Sequence, residues 1–247
     1  MERLCLYEWA AAGGLDGPDG ACVTNDPVLA EAVRGEGVAM LATLTRLSTS
    51  LRGVAPQVLV GHGVRYEPPA GVEVVRVPRG GEAEALAAAA ALADWLVVVA
   101  PETAGILERR LRIAHQSTGR VVGPSVAFAS LAADKHATIL ALAAAGVPVP
   151  AGRLLRTGEI PPKEFYLPMV RKQRGSVGCD GLHVIHEWRQ GCDAAETDER
   201  LEAFAPGMPV GVSLLCGPAG VFPLPGTRQR FGGGPSPQYM GGQLPVA

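Results

Sequence analysis

Lysine is scarce in this chain: of its 22 cationic residues only Lys135, Lys163 and Lys172 are lysine, and the other 19 are arginine. Aromatic residues are scarce too, at 5%, and charged residues make up 19% with a formal net charge of -2. That balance offers no basic field to hold a nucleic-acid backbone, so nucleic acid is excluded as the main partner. The five cysteines, Cys5, Cys22, Cys179, Cys192 and Cys216, are odd in number and contain no CxxC pair, which argues against a disulfide framework and a zinc knuckle. They read as reduced thiols, with Cys179 either a reactive thiol or a small loop filler. The longest apolar run, "ALAAAAALADWLVVVA", is broken by Asp94, whereas a membrane span needs about 20 apolar residues. The opening "MERLCLYEWA" sets acid beside base without the apolar core of a secretory signal. The expectation is a soluble, cytoplasmic protein with no membrane partner. Two nucleotide signatures are also missing: there is no GxxxxGK[ST], and "GGLDGPDG" after the first apolar segment fails GxGxxG.

What is present suits a folded core, since 47% of the 247 residues are hydrophobic, enough for one large domain or two smaller ones. "LCLYEW" has strand length and is followed by a glycine-rich turn. Next, "DPVLAEAVRGEGVAMLATLTRLSTSL" places Leu29, Val33, Met40, Leu44 and Leu47 at helical spacing, with Asp26 as N-cap and Pro27 at the first helical position. The alternation continues through "PQVLVG", "VEVVRV", an alanine-rich helix, the continuous apolar strand "WLVVVA", the helix "TAGILERRLRIAHQS" and "RVVG". Such an order predicts an α/β domain with a parallel sheet covered on both sides, over residues 1–123. From residue 124 the texture turns helical until Gly146, Pro148 and Pro150 end a helix. The short β candidates "GRLLR", "FYLPMVRK", "GLHVIH" and "VGVSLLC" then predict an α+β, antiparallel second half over 124–247.

The stretch "MVRKQRGSVGCDGLHVI" puts a glycine-rich loop between two β candidates. Backbone amides of Gly175, Ser176, Gly178 and Gly181 could turn toward a phosphate, with Lys172 or Arg174 adding charge; an ordinary hairpin loop is the alternative. In a chain that uses arginine almost everywhere, the lysines at 135 and 172 mark places where a compact ammonium is needed. Lys163 reads as an exposed loop residue. His183 and His186 could suit a metal, but without a third ligand they read as a hairpin surface.

Three segments in order resemble the ATP-grasp superfamily: "DKHATILALAAAGVPVP", the lysine-and-loop stretch just quoted, and "RLEAFAPGMPVGVSLLC". A narrower likeness, carried by "LYEWAAAGG", "APETAGILE" and "TRQRF…QYMGGQLP", is to the branch of tyramine–glutamate ligases and proteins of methanofuran or methylofuran synthesis. The resemblance implies a parallel-sheet pre-ATP-grasp domain followed by an α+β ATP-grasp domain. It implies ATP held by Lys135, Lys172 and the 175–181 loop, with adenine at Glu202, Ala203 and Phe204. It implies ligation of a small carboxylate to an amine through an acyl phosphate. Arg228 and Gln229 are candidates for the substrate or phosphate side, Arg228 being otherwise a solvated surface arginine, and Gly241 and Gly242 would admit a closely approaching loop. Glu8 and Glu102, each just after an apolar strand, are candidates for an amine-bearing substrate, though Glu8 could equally be a strand-end charge. The likeness departs from the pattern at Ala203, where the hinge acid is usual, at Gln173, where proline is usual, and at Pro209, where many members place a ribose-binding glutamate.

The resemblance also implies Mg2+, yet no carboxylate lies beyond Glu202, so its ligands are not evident and the ATP-grasp domain reads as incomplete at its C-terminus. Three expectations follow: a truncated chain, a second chain or homodimer partner that completes the site, or a binding or assembly subunit without catalysis.

Overall fold

The structure is a computed structural model that describes residues 1–116, 120–176, 179–188 and 193–246. The chain divides into two compact units, Met1–Ala133 and Asp134–Ala247.

The first unit is built on five parallel strands, β1 (Glu2–Glu8), β2 (Val54–Gly61), β3 (Glu73–Val77), β4 (Trp95–Val99) and β5 (Arg120–Val122), in the order β3-β2-β1-β4-β5. Its helices are the short α1 (Gly20–Val23), then α2 (Pro27–Ser48), α3 (Glu82–Leu92), α4 (Ile106–His115) and α5 (Val126–Ala133). Side chains alternate across a strand, and both faces of β1 are buried: Cys5 and Tyr7 join one core cluster with Leu86 of α3 and Leu111 of α4, while Leu4 and Leu6 join another with Leu41 of α2. Burial on both faces is why these strands read as unbroken apolar runs.

Asp26 caps α2 as its sequence predicts, its carboxylate accepting from the Val28 amide at 2.8 Å with Pro27 in the first turn. The buried stripe differs from the one spelled by the large apolar residues. Leu29, Met40 and Leu47 are exposed, and Gly37, Leu41, Thr45 and Ser48 face inward. Close approach decides it, because a Cβ on Gly37 would lie 2.2 Å from the Glu8 carboxylate. The unit extends past Gly123 to Ala133 because α5 packs against α4.

The second unit opens with α6 (Lys135–Ala144), capped by Asp134, which accepts from the His136 and Ala137 amides at 3.0 Å. Four antiparallel strands follow, β6 (Gly152–Leu155), β7 (Met169–Gln173), β8 (His183–Ile185) and β9 (Glu199–Ala203), in the order β6-β9-β7-β8. The remainder forms a three-stranded sheet of β10 (Val210–Gly211), β13 (Thr227–Phe231) and β14 (Tyr239–Gln243), and a hairpin of β11 (Leu214–Gly217) with β12 (Gly220–Pro223). Two expected strands change: "FYLPMVRK" pairs only from Met169, after Pro168, and "VGVSLLC" divides into β10 and β11 in different sheets. Proline has no amide to give a ladder, which keeps Pro168 out of the strand.

Candidate functional site

Register assigns the two faces of the four-stranded sheet. Lys172 lies opposite Arg200 and Val170 opposite Glu202, so Lys172, Arg200 and Glu202 share a face. On the other face Met169, Ile185 and Leu201 are buried together, and Arg171 is clamped on Glu199 by contacts of 2.7 and 3.1 Å. The polar face therefore rests on an apolar support. There the Lys172 ammonium meets the Glu202 carboxylate at 2.7 Å, and Arg200 shares that carboxylate at 3.1 Å. Gly152 of β6 keeps the space open, since a Cβ on it would come within 2.9 Å of the Arg200 guanidinium.

The first turn of α6 is tied to this face from three directions. The Lys135 amide donates to the Arg174 carbonyl at 3.0 Å. Asp134 receives the Arg174 guanidinium at 2.6 and 2.8 Å, and that bond holds its carboxyl below the usual range. Arg200 reaches His136 Nδ1 at 2.9 Å; partial burial and the neighbouring Arg200 charge push that imidazole down, toward the neutral ring that can accept this bond. So positioned, the Lys135 side chain donates to the Ser176 carbonyl and lies 3.2 Å from Ser176 Oγ, while Ser176 donates to the Asp180 carbonyl at 2.7 Å. Burial pushes the Lys135 pKa down, and Lys172 adds to the shift. Among the described residues no carboxylate comes within ion-pair reach of Lys135.

The loop itself needs glycine at Gly181, whose φ is +62° and where a Cβ would meet Gln173 at 2.6 Å; Gly175 faces open space. Cys179 also adopts a left-handed φ of 70°. Gly178, like Cys192, lies outside the described residues. At the far end of β9 the Ala203 amide donates to Ala151 at 2.8 Å and the Phe204 amide to Pro168 at 3.0 Å; the Phe204 ring is exposed.

Two family models match consecutive parts of the chain: the pre ATP-grasp 3 domain over residues 57–127 and the ATP-grasp domain over residues 132–247. Residues 57–127 and 132–247 are thus a pre-ATP-grasp domain followed by an ATP-grasp domain. Solved structures with this fold include one described as an ATP-grasp superfamily protein from Archaeoglobus fulgidus, at 16% identity and TM-score 0.65, covering 100% of this chain and 66% of that one. Another is an L-amino acid ligase from Bacillus licheniformis, at 15% identity and TM-score 0.56, covering 95% of this chain and 52% of that one. A third is a D-alanine–D-alanine ligase from Bacillus anthracis complexed with ATP, at 12% identity and TM-score 0.54, covering 93% and 66%. The chain thus spans between half and two thirds of the length of these structures. No curated protein sequence matches it significantly.

Within the ATP-grasp domain, the hairpin of β13 and β14 brings four further candidates together: Arg228 lies opposite Gln243 and Gln229 opposite Gly242. Gly241 has a φ of +109°, and a Cβ on Gly242 would strike Thr227 at 2.5 Å. Arg228 is exposed. In the pre-ATP-grasp unit, Glu8 ends β1 and Glu102 follows the adjacent β4, and the two have different surroundings. Glu8 is 2% exposed, its carboxylate accepts from the Ala11 amide at 2.7 Å, and burial raises its pKa; it fixes the turn after β1. Glu102 is exposed at the start of the turn before α4. His183 bonds Ser236 at 3.0 Å on the exposed rim of β8, and His186 is exposed. Sequence reasoning named Arg174 only as added charge beside the loop and missed its bond to Asp134; it missed Asp134, His136 and Arg200 as parts of the lysine cluster. The signal in the sequence was the adjacency of Asp134 and His136 to Lys135, since the contacts themselves join residues 40 and 64 positions apart. No single helix among the described residues is long and apolar enough to cross a membrane.

Proposed function

We propose that this chain is the nucleotide-binding part of an ATP-dependent carboxylate–amine ligase. One observation carries the reading: Lys135 and Lys172 converge beside the 175–181 loop, where the single carboxylate of Glu202 already serves Lys172 and Arg200. Phosphate oxygens fit two point-charge ammonium groups beside a glycine-bearing loop, and Lys135, which has no carboxylate within ion-pair reach among the described residues, has its charge left for such an anion. ATP, when bound, supplies the phosphoryl group that activates a carboxylate toward an amine. Lys135 and Lys172 would hold its phosphates and neutralise charge there, with Ser176, Gly175, Gly178 and Gly181 alongside and the purine at Glu202, Ala203 and Phe204. Glu202 keeps the Lys172 ammonium from swinging away. Arg228 and Gln229, with Gly241 and Gly242 on the neighbouring strand, would receive the acid; within the first unit Glu102 would meet an amine-bearing substrate, with Glu8 acting through the turn it fixes. Among the described residues no three His, Cys, Asp or Glu side chains gather as a metal site, so no magnesium-dependent step is assigned to them.

Within this reading the substrates belong to synthesis of a one-carbon-carrier cofactor of the methanofuran or methylofuran kind, a choice supported by the "LYEWAAAGG", "APETAGILE" and "TRQRF…QYMGGQLP" segments. The test is ADP release from MgATP with tyramine and glutamate. Release that needs both compounds and is abolished in Lys172→Ala is expected; release indifferent to Lys172, or none with any amine and acid pair, would refute ligation. A second reading, a nucleotide-binding subunit completed by a partner chain, is favoured by the β11–β12 hairpin, where Leu214, Leu215, Val221 and Phe222 are all more than half exposed.

A further inference from the structure

Loops leaving the carboxyl ends of parallel strands are where α/β sheets collect ligands. In the first unit the loops after β1, β2 and β3 border, together with α2, an open cleft of about 600 Å³, within the size range of small-molecule sites. Its charged lining is Arg34 from α2, Arg65 after β2, Arg79 after β3, and the acids Asp16 and Glu31. Arg34 touches both acids only at 3.4 to 3.5 Å, long for charge-assisted bonds, which lie near 2.7 to 2.9 Å. Arg65 and Arg79 have no ion pair among the described residues and are exposed into solvent. Three guanidinium forks therefore line one cavity with their charge incompletely answered.

We infer that this cavity is an anion-binding site of the first unit, taking a small molecule through a carboxylate or phosphoryl group held by Arg34, Arg65 and Arg79. Guanidinium forks match both oxyanions in a bidentate way. Asp16 has the place to hold Arg34 ready without saturating it. The inference is independent of the ATP site, because every residue in it belongs to the first unit.

Gly35 supplies a clean steric probe. It lines the cavity on α2, and a Cβ built there meets nothing within 4 Å, so Gly35→Leu adds bulk at the cavity wall without a clash at its Cβ while favouring the helix. The experiment is calorimetric titration of the full chain with inorganic phosphate and, separately, with glutarate at constant ionic strength. It compares the wild type, Gly35→Leu, the double variant Arg65→Gln with Arg79→Gln, and Lys172→Ala. Millimolar or tighter binding of either anion that falls at least tenfold in the first two variants and persists in Lys172→Ala is expected. Phosphate alone would mark a phosphoryl ligand and glutarate alone a carboxylate, and either supports the site. Binding lost in Lys172→Ala but kept in Gly35→Leu would overturn it and assign the anion to the ATP-grasp lysines. No binding of either anion by the folded wild type would overturn it as well. Unfolding temperatures of all variants check folding, and MgATP titration of Gly35→Leu, expected unchanged, separates this result from failure of the ligase reading.

Discussion

Glu82→Ala is expected to destabilise the first unit by about 3 kcal/mol, the lower end of the cost of breaking a buried ion pair. Tyr7, Glu82 and Arg110 are 0%, 4% and 5% exposed. Glu82 accepts from the Tyr7 hydroxyl and from Arg110 at 2.5 and 3.0 Å, while Asp19 holds the same guanidinium at 2.8 Å. Burial and the Glu82 charge both push the Tyr7 pKa well up; for Arg110 burial works against the charge, but Glu82 outweighs it and raises the pKa. Removing Glu82 leaves the guanidinium with Asp19 alone and the Tyr7 hydroxyl without this acceptor. Retention of Asp19 sets the estimate at the lower end. At about 2–4 °C per kcal/mol for a chain of this size, the unfolding temperature should drop by about 6–12 °C. Urea unfolding followed by tryptophan fluorescence reads the loss, because Trp9 is fully buried in the same unit. The triple variant Glu82→Leu, Arg110→Met, Tyr7→Phe removes the three buried polar side chains of this cluster, leaves Asp19 its pair with Arg109 at 2.7 Å, and should recover most of the stability. A loss below about 1 kcal/mol in Glu82→Ala, or a triple variant as unstable as the single one, would refute the reasoning.

Asp134→Ala should cost about 1 kcal/mol through the lost helix cap and weaken nucleotide binding by releasing Arg174, both readable by thermal shift with and without ATP. Because Arg174 lowers the Asp134 pKa, its stabilisation is present above the ordinary carboxyl value and fades as pH falls through the lowered native one; the gap between wild type and Asp134→Asn should close in acid. Glu8 has the opposite sign. Its raised pKa means that the folded state favours the protonated acid, a contribution present below the ordinary value and lost as pH rises through the native one. Glu8→Gln, which can still accept from Ala11, should therefore raise the unfolding temperature at pH 7 and leave it unchanged near pH 4.

The parallel sheet was legible because "WLVVVA" and "PQVLVG" are covered at least in part on both faces and so carry the pattern openly, and Asp26-Pro27 announced the start of α2. The inward stripe of α2 was not legible, since Gly37 and Thr45 face the sheet for reasons of spacing that hydrophobicity does not record. In the second unit the short strands were visible but their partition into three sheets was not: Val210–Gly211 and Leu214–Gly217 are neighbours in sequence and pair with different partners. The two lysines stood out against a background of arginine. Arg200 vanished into that background and Arg174 read only as added charge beside the loop, although their contacts with Asp134, His136 and Glu202 are what orient the cluster. The resemblance supplied β9, which no periodicity had singled out.

The central claim is that Lys135 and Lys172 form a nucleotide phosphate site, and calorimetric titration of MgATP into the wild type, Lys135→Met and Lys172→Met tests it most directly. The account predicts micromolar binding by the wild type, weakened at least tenfold in each variant with unfolding temperature preserved. Equal affinity in all three proteins, or no affinity in a well-folded wild type, would contradict it.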